Sequence, residues 1–299
     1  MRTLTVRPPA KINLTLRVGP PRADGYHDVR TLLQSVALHD TLIVSERRGP
    51  FGLQCRTPGV PQDEANLAWR AAQALWTAIG RDGAPRDIHI RIEKAIPAQA
   101  GLGGGSANAA ATLVALNTLW GARRSRRDLV RIAATLGSDV PFFLQGGTAV
   151  ATGRGEDLYP VDDIERWGVV IIKPSFGVGT ADAYRWLDED RAAGVAPLAH
   201  EVPASGRDID LGWPTGGVPL VNDLGGPVAR RHPVVTEIVE ACMAEGAAGA
   251  QMSGSGSSVF GLFSEGAATR AVKRLRRPDW LVILTRTLGR REAARHIGL

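Results

Sequence analysis

The chain has 299 residues, 44% of them hydrophobic and 22% charged, which is enough to bury one large or two medium cores and ordinary for a folded protein. A net charge of +6 suits a polyanionic ligand, and no apolar run reaches the length of a membrane span. Cys55 and Cys242 lie far apart without metal-type spacing and read as buried small hydrophobes, a bridge between them left open. The N-terminus lacks a signal-peptide apolar core, so the expected compartment is the cytoplasm.

Thr3 to Arg7 alternate as a strand, Pro8-Pro9 interrupts, and Ala10 to Val18 alternate again. Ile12, Leu14, Leu16 and Val18 share one face of that second strand, with Lys11 and Asn13 on the other. Lysine occurs only at 11, 94, 173 and 273 in an otherwise arginine-based set of cations, which singles Lys11 out. Asp24-Gly25 marks a tight turn that places Tyr26 and His27 just past it, as structural trim or as a ligand clamp. A β-rich stretch from Val29 to Glu46 follows, then an amphipathic helix from Leu67 to Ile79, opened at Asn66 and stopped by Gly80.

The stretch from Asp87 to Glu93 alternates as a strand and leads into Pro97-Ala98-Gln99-Ala100-Gly101-Leu102-Gly103-Gly104-Gly105-Ser106. An alanine-rich run from Ala107 to Leu119 then reads as a helix closed near Gly121. Four glycines in five positions let a ligand approach the backbone, and the helix start beyond them offers unpaired N–H groups and a positive dipole end. Together they suit an anion site, most naturally a phosphate cradle, while a bare glycine run reads equally as a flexible turn with glycine for clearance only. It is not a Walker A loop, which ends in Gly-Lys-Ser/Thr, nor the dinucleotide G-x-G-x-x-G, whose spacing differs.

Ser125 and Asp128 read as an N-cap pair for a helix from Leu129 to Leu136. Asp139 sits between Gly137 and the apolar Pro141-Phe142-Phe143 run. Such a half-buried carboxylate is either paired with a cation and put to use or caps a backbone turn. In the second half a strand spans 167–174, and Thr180 caps a helix carrying Tyr184 and Trp186. Residues 190–218 read as a long surface connection. Asn222-Asp223-Leu224 precedes a helix at 233–244, and Ser253-Gly254-Ser255-Gly256 runs into a strand. A helix at 267–275 and a strand at 280–286 complete an α+β half. The arginine clusters at 123–127 and 273–277 flank helices without interleaved aromatics, so they read as solvated helix ends rather than nucleic-acid contacts.

The segments Ala10 to Leu14, Asp24 to His27, Asn66-Leu67, Pro97 to Ser106, Gly137 to Phe142, Asn222 to Leu224 and Ser253 to Gly256 occur in an order that resembles the GHMP kinases over almost the whole chain. The Lys-Ile-Asn-Leu strand followed by Asp-Gly-Tyr-His resembles the branch whose small-molecule acceptor carries a cytidine diphosphate, in the non-mevalonate isoprenoid pathway. The resemblance implies a two-domain α/β and α+β fold. A ribosomal-S5-domain-2-like ATP-binding domain would occupy 1–160 and a ferredoxin-like domain 161–299, with the active site in the cleft between them. It implies transfer of the γ-phosphoryl group of ATP, with Mg²⁺, to the 2-hydroxyl of a methylerythritol moiety, in a monomer or homodimer.

By the same resemblance Asp139 is the catalytic base and Lys11 its partner, favouring developing alkoxide charge. Pro97, Gly101, Leu102, Gly103, Gly104, Gly105 and Ser106 hold ATP, with Asn66 near the adenine and Ser106 a candidate Mg²⁺ ligand. Tyr26 and His27 take the cytidine, Tyr184 is a second stacking aromatic, Asn13 lies beside the acceptor, and Gly254 and Ser255 close the site. Two positions depart from the family pattern: Ala107-Asn108 where Ser-Asp is frequent, and Gly225 where Glu is frequent. The rival readings are a homoserine- or mevalonate-type kinase, whose acceptor has no base for Tyr26 and His27, and a polyanion-binding protein, which leaves Lys11 and Asp139 unexplained.

Overall fold

The structure, a computed structural model, describes residues 1–164, 166–199 and 220–299. Of the surface connection read at 190–218, residues 200–218 lie outside the described residues.

Three sheets organise the chain. The first has the order β1 (Thr3–Val6), β4 (Thr41–Pro50), β6 (Arg86–Glu93) and β5 (Gly52–Cys55). On β6, Ile88, Ile90 and Ile92 face inward while Arg91 and Glu93 are exposed, the two-residue alternation of a half-buried strand. The buried face packs against α1 (Leu67–Ala78), α2 (Gly104–Leu119), α3 (Arg126–Leu136) and α4 (Val140–Gln145). Alanine is the commonest residue of α2, and eleven of its sixteen residues are buried, those from Ala107 to Leu116 without a break, as expected of a helix apolar all round over that stretch. Asn66 caps α1 through its side chain, and Ser125 with Asp128 forms a capping box on α3, as the spacing predicts.

The second sheet has the order β10 (Val221–Asn222), β2 (Pro9–Pro21), β3 (His27–His39), β7 (Thr148–Thr152) and β8 (Asp157–Pro160). The register of β2 against β3 slips between Asn13 and Thr15, a bulge. Beyond it the predicted single face divides: Ile12 and Leu14 enter one core, Leu16 and Val18 another.

The third sheet is antiparallel throughout, in the order β11 (Gly249–Met252), β12 (Val259–Phe263), β9 (Gly168–Pro174) and β13 (Trp280–Arg286). With α5 (Thr180–Ala192), α6 (Gly225–Arg231), α7 (Val234–Ala244) and α8 (Glu265–Arg274) it forms the ferredoxin-like half. Both faces of β9 are covered. Val170 and Ile172 pack with the helices of this half, while Val169 and Ile171 pack against Ile12, Leu14 and Leu32 of the second sheet. That shared core joins the halves. A last helix, α9 (Arg290–Ile297), returns to the first core, where Ile297 is fully buried.

Several elements differ from expectation. The periodicity of α2 begins at Ala107, yet the helix starts at Gly104, directly after a left-handed Gly103 at the N-cap, so its first turn is made of small residues that carry no apolar signal. Thr180 is the first residue of α5, after an N-cap at Gly179, and its hydroxyl meets Ser255 Oγ at 3.2 Å instead of capping. Both cysteines are buried and unbridged, and burial pushes the Cys242 thiol up to about 12. No helix among the described residues is long and apolar enough to cross a membrane.

Candidate active site

The glycine-rich loop is held from three sides. Leu102, buried in the shared core, accepts the Lys11 N–H at 3.0 Å and so ties the loop to β2. Gly103 adopts φ +71°, and a Cβ there would stand 2.6 Å from Phe143 and 3.1 Å from the Lys11 stem. At Gly101 a Cβ would stand 2.0 Å from the Ser253 carbonyl oxygen, whose residue also donates its hydroxyl to Gly101 O at 3.0 Å. Gly104 is hemmed in by Ile96 and the Lys94 ammonium. A Cβ on Gly105, by contrast, would make only an ordinary contact at 3.6 Å. Packing therefore demands glycine at 101, 103 and 104, and leaves close approach of a ligand as the use of Gly105.

No side chain caps α2. The N–H groups of Gly104, Gly105 and Ser106 precede the first helical bond, from Ala107 N to Gly103 O at 2.9 Å. A bare helix start of this kind, with Ser106 half-buried in its first turn, fits the phosphates of ATP. Beneath it lies a pair that sequence reasoning missed. Asp40 is fully buried, accepts Ala95 N and Ile96 N at 2.8 Å each, and pairs with the Lys94 ammonium. The pair fixes the turn from β6 into the loop. Pro97 follows directly on Ile96 in that turn.

Lys11 and Asp139 meet beside the cradle. Lys11 is almost fully buried, and its ammonium lies 2.5 Å from Asn13 Oδ1 and 3.5 Å from Asp139 Oδ2. Asp139 occupies the N-cap position of α4 but makes no capping bond, and its side chain keeps 38% exposure. Of the two readings open in the sequence, the ion pair is the one formed. The carboxylate is oriented by a cation and still open to solvent. Gly254 closes over this pair: a Cβ on it would stand 3.1 Å from Asn13 Oδ1 and 3.2 Å from Lys11 Nζ. Its loop is held by Asn222, whose amide donates to Met252 O and Gly254 O at 2.8 Å each.

The aromatic residues gather on the other side of Asp139. His27 is buried, its ring 5.2 Å from that of Tyr184, and its Nε2 lies 3.0 Å from Asp188 Oδ1. Tyr184 and Asp188 are one turn apart on α5, a spacing that could have flagged Asp188 beside the candidate aromatic. Burial, with the nearby charge of Asp139, pushes the Tyr184 hydroxyl above its ordinary range. Tyr26 stays exposed, with the Arg154 guanidinium 5.0 Å over its ring. The Asn66 side chain is spent on its own loop: its oxygen accepts from Ala68 N and its amide donates to Pro61 O, so it shapes the loop before α1.

A bare helix start, a Lys–Asp pair beside it and a second loop closing from a ferredoxin-like half define a GHMP-type small-molecule kinase. Residues 66–147 match the family model of the GHMP kinases N terminal domain, and residues 206–278 that of the GHMP kinases C terminal domain. The 4-diphosphocytidyl-2-C-methyl-D-erythritol kinase of Pelotomaculum thermopropionicum is 43% identical over 94% of this chain and 97% of its own length. The protein of the same name from Anaeromyxobacter dehalogenans is 45% identical over 90% of this chain and 83% of its own. A crystal structure of 4-(cytidine 5'-diphospho)-2C-methyl-D-erythritol kinase superposes with a TM-score of 0.79 at 36% identity, covering 96% of this chain and all of that one. The chain belongs to the 4-diphosphocytidyl-2-C-methyl-D-erythritol kinase family.

Proposed function

We propose that this chain transfers the γ-phosphoryl group of ATP to the 2-hydroxyl of 4-diphosphocytidyl-2-C-methyl-D-erythritol, a step of non-mevalonate isoprenoid synthesis. The observation that carries the reading is the Lys11–Asp139 pair at 3.5 Å, set between the glycine-rich helix start and the His27–Tyr184 aromatic wall. Phosphoryl transfer asks the protein mainly for positioning and charge neutralisation. Asp139 takes the hydroxyl proton, the Lys11 ammonium steadies the alkoxide charge that develops, and the N–H groups of Gly104, Gly105 and Ser106 hold the phosphates. A Mg²⁺ ion that arrives on those phosphates requires few protein ligands, and Ser106 offers its hydroxyl. Such an ion, held by the Ser106 hydroxyl, would supply neutralisation of phosphate charge.

The cytidine of the acceptor stacks on Tyr26 and Tyr184, and His27, oriented by Asp188, meets its polar edge. Asn66 stays at the adenine end as a support of the loop. In this reading 1–160 forms the ATP-binding domain and 161–299 the closing domain, in a cytoplasmic monomer or homodimer. The arginine clusters serve helix ends: Arg124 donates to Ala78 O, Arg126 to Leu144 O, and Arg274 pairs with Glu245.

The test is ATP consumption by the purified protein with Mg²⁺, comparing the cytidine-diphosphate acceptor with homoserine and mevalonate. Turnover with the cytidine acceptor alone is expected. Turnover with another acceptor would leave a GHMP kinase with a different substrate, and inactivity with all three would remove the catalytic reading.

A further inference from the structure

We propose that Thr31 is a positioning residue for phosphoryl transfer, which sets the Lys11 ammonium by fixing the orientation of the Asn13 amide. The observation is a closed chain of buried polar groups. Thr31, Asn13 and Lys11 are each at most 5% exposed. The Thr31 hydroxyl lies 2.6 Å from the Thr15 carbonyl oxygen and 2.7 Å from the Asn13 amide nitrogen, and Asn13 Oδ1 lies 2.5 Å from Lys11 Nζ.

Proton accounting leaves one arrangement. A hydroxyl has one proton to donate, and a carbonyl oxygen can only accept. Thr31 therefore donates to Thr15 O and can only accept from Asn13. The Asn13 group facing it must be the NH₂, so Oδ1 points the other way. At the far end an ammonium can only donate, and it requires that same oxygen. Both ends of the chain demand one amide orientation, and Thr31 supplies one of the two demands.

The β2 bulge makes this possible. Where the register slips between Asn13 and Thr15, side chains replace ladder bonds: Thr31 Oγ1 donates to Thr15 O, and Leu32 N donates to Thr15 Oγ1 at 2.9 Å. Gln251 reaches across from β11 and donates to Asn13 O and Leu14 O at 3.0 and 2.9 Å, which holds the bulge from the other half. Asn13 then acts on the reaction through Lys11, holding the ammonium from behind while Asp139 faces it from the front.

The inference rests on the phosphotransfer reading of Lys11 and Asp139, and its test separates the two. Thr31→Val keeps the β-branched shape and removes the hydroxyl, so the Asn13 NH₂ loses its acceptor and the amide can rotate Oδ1 out of line with Lys11 Nζ. Thr31→Ser keeps the hydroxyl. Turnover of Thr31→Val is expected to fall by about ten- to a hundred-fold with both KM values within about twofold, since small misplacements at a reacting centre act on the rate. Thr31→Ser should stay within about threefold of the native enzyme. A crystal structure of Thr31→Val should show Lys11 Nζ withdrawn from Asn13 Oδ1. If Thr31→Val is too unstable to assay, Thr31→Ala carries the same expectations. Native kcat in the hydroxyl-free variant, or equal losses in Thr31→Val and Thr31→Ser, would overturn the proposal. If the native chain itself does not turn over the acceptor, the phosphotransfer reading fails, and the Lys11 position in the variant crystal still decides whether Thr31 sets it.

Discussion

Asp139 stands where a helix cap would stand and makes no side-chain capping bond, so among the described residues its carboxylate is held by Lys11, and it keeps 38% exposure. Asp139→Asn keeps the shape and loses the proton acceptor. It is expected to bind ATP normally and to lose about 10²- to 10⁴-fold in turnover, read by nucleotide titration and steady-state assay. Lys11→Met should fail in the same way, with the added cost of leaving Asn13 Oδ1 buried without its donor. Tyr26→Ala belongs to a different class of effect. Its ring is exposed and touches no reacting group, so the acceptor KM should rise while kcat stays near native. An unaltered acceptor KM would remove the stacking role.

At the scale of elements, α5 carries Tyr184 and Asp188, and its C-terminal end is tied to α6 by two neighbouring carboxylates, Glu189, which accepts Arg231 Nη2 at 2.9 Å, and Asp190. Asp190 is buried and accepts Arg230 Nε at 2.9 Å and Arg231 Nη1 at 3.1 Å, both from α6. Burial alone would raise its pKa, but the hydrogen bonds from Arg231 and Arg230 together hold it below the ordinary carboxylate range. Because the folded value is depressed, this contribution to stability is present above the unfolded carboxylate pKa and is lost as the pH falls through the folded one. Asp190→Asn should lower stability by about 1–2 kcal/mol near neutral pH and flatten that acid limb in a pH series of melts. It should also raise the acceptor KM by loosening Tyr184 and Asp188. The elements that carry strong local signals were legible in the sequence: β6 by its isoleucine alternation, α3 by its capping box, and the start of the cradle by its glycines. Weak local signals hid the rest. The six-residue α4 and the two-residue β10 are too short for periodicity to show, and the bulge in β2 leaves the apolar alternation of the sequence unbroken. In the site, Lys11, Asp139 and the glycines stood out by type and setting. Thr31, Asp40 and Asp188 did not, because each matters only through a partner from a different element.

For the whole molecule, the decisive feature is that the C-terminal half also completes a core of the N-terminal half. Ile12, Leu14, Leu32 and Leu102 are covered by Val169, Ile171, Phe260 and Leu262, and α9 crosses back to bury Ile297 under the first sheet. The loop from Ser253 to Gly256 is in turn seated on Gly101, so the phosphate cradle takes its shape from both halves. The core of Ile12, Leu14, Val169 and Phe260 is built by both halves, so loss of either exposes the other's apolar surface and the chain should unfold as one unit. Phe260 is fully buried in the shared core, and Phe260→Ala should cost about 3–5 kcal/mol. The test is urea unfolding followed by two probes. One is the fluorescence of a chain whose only tryptophans are Trp69, Trp76 and Trp120, on the N-terminal side. The other is that of a chain keeping only Trp186 and Trp280. Coincident transitions, shifted together by Phe260→Ala, are expected. Two separate transitions, with only one moved by the substitution, would show halves that fold independently, and the cradle would then survive in a chain that ends at residue 160.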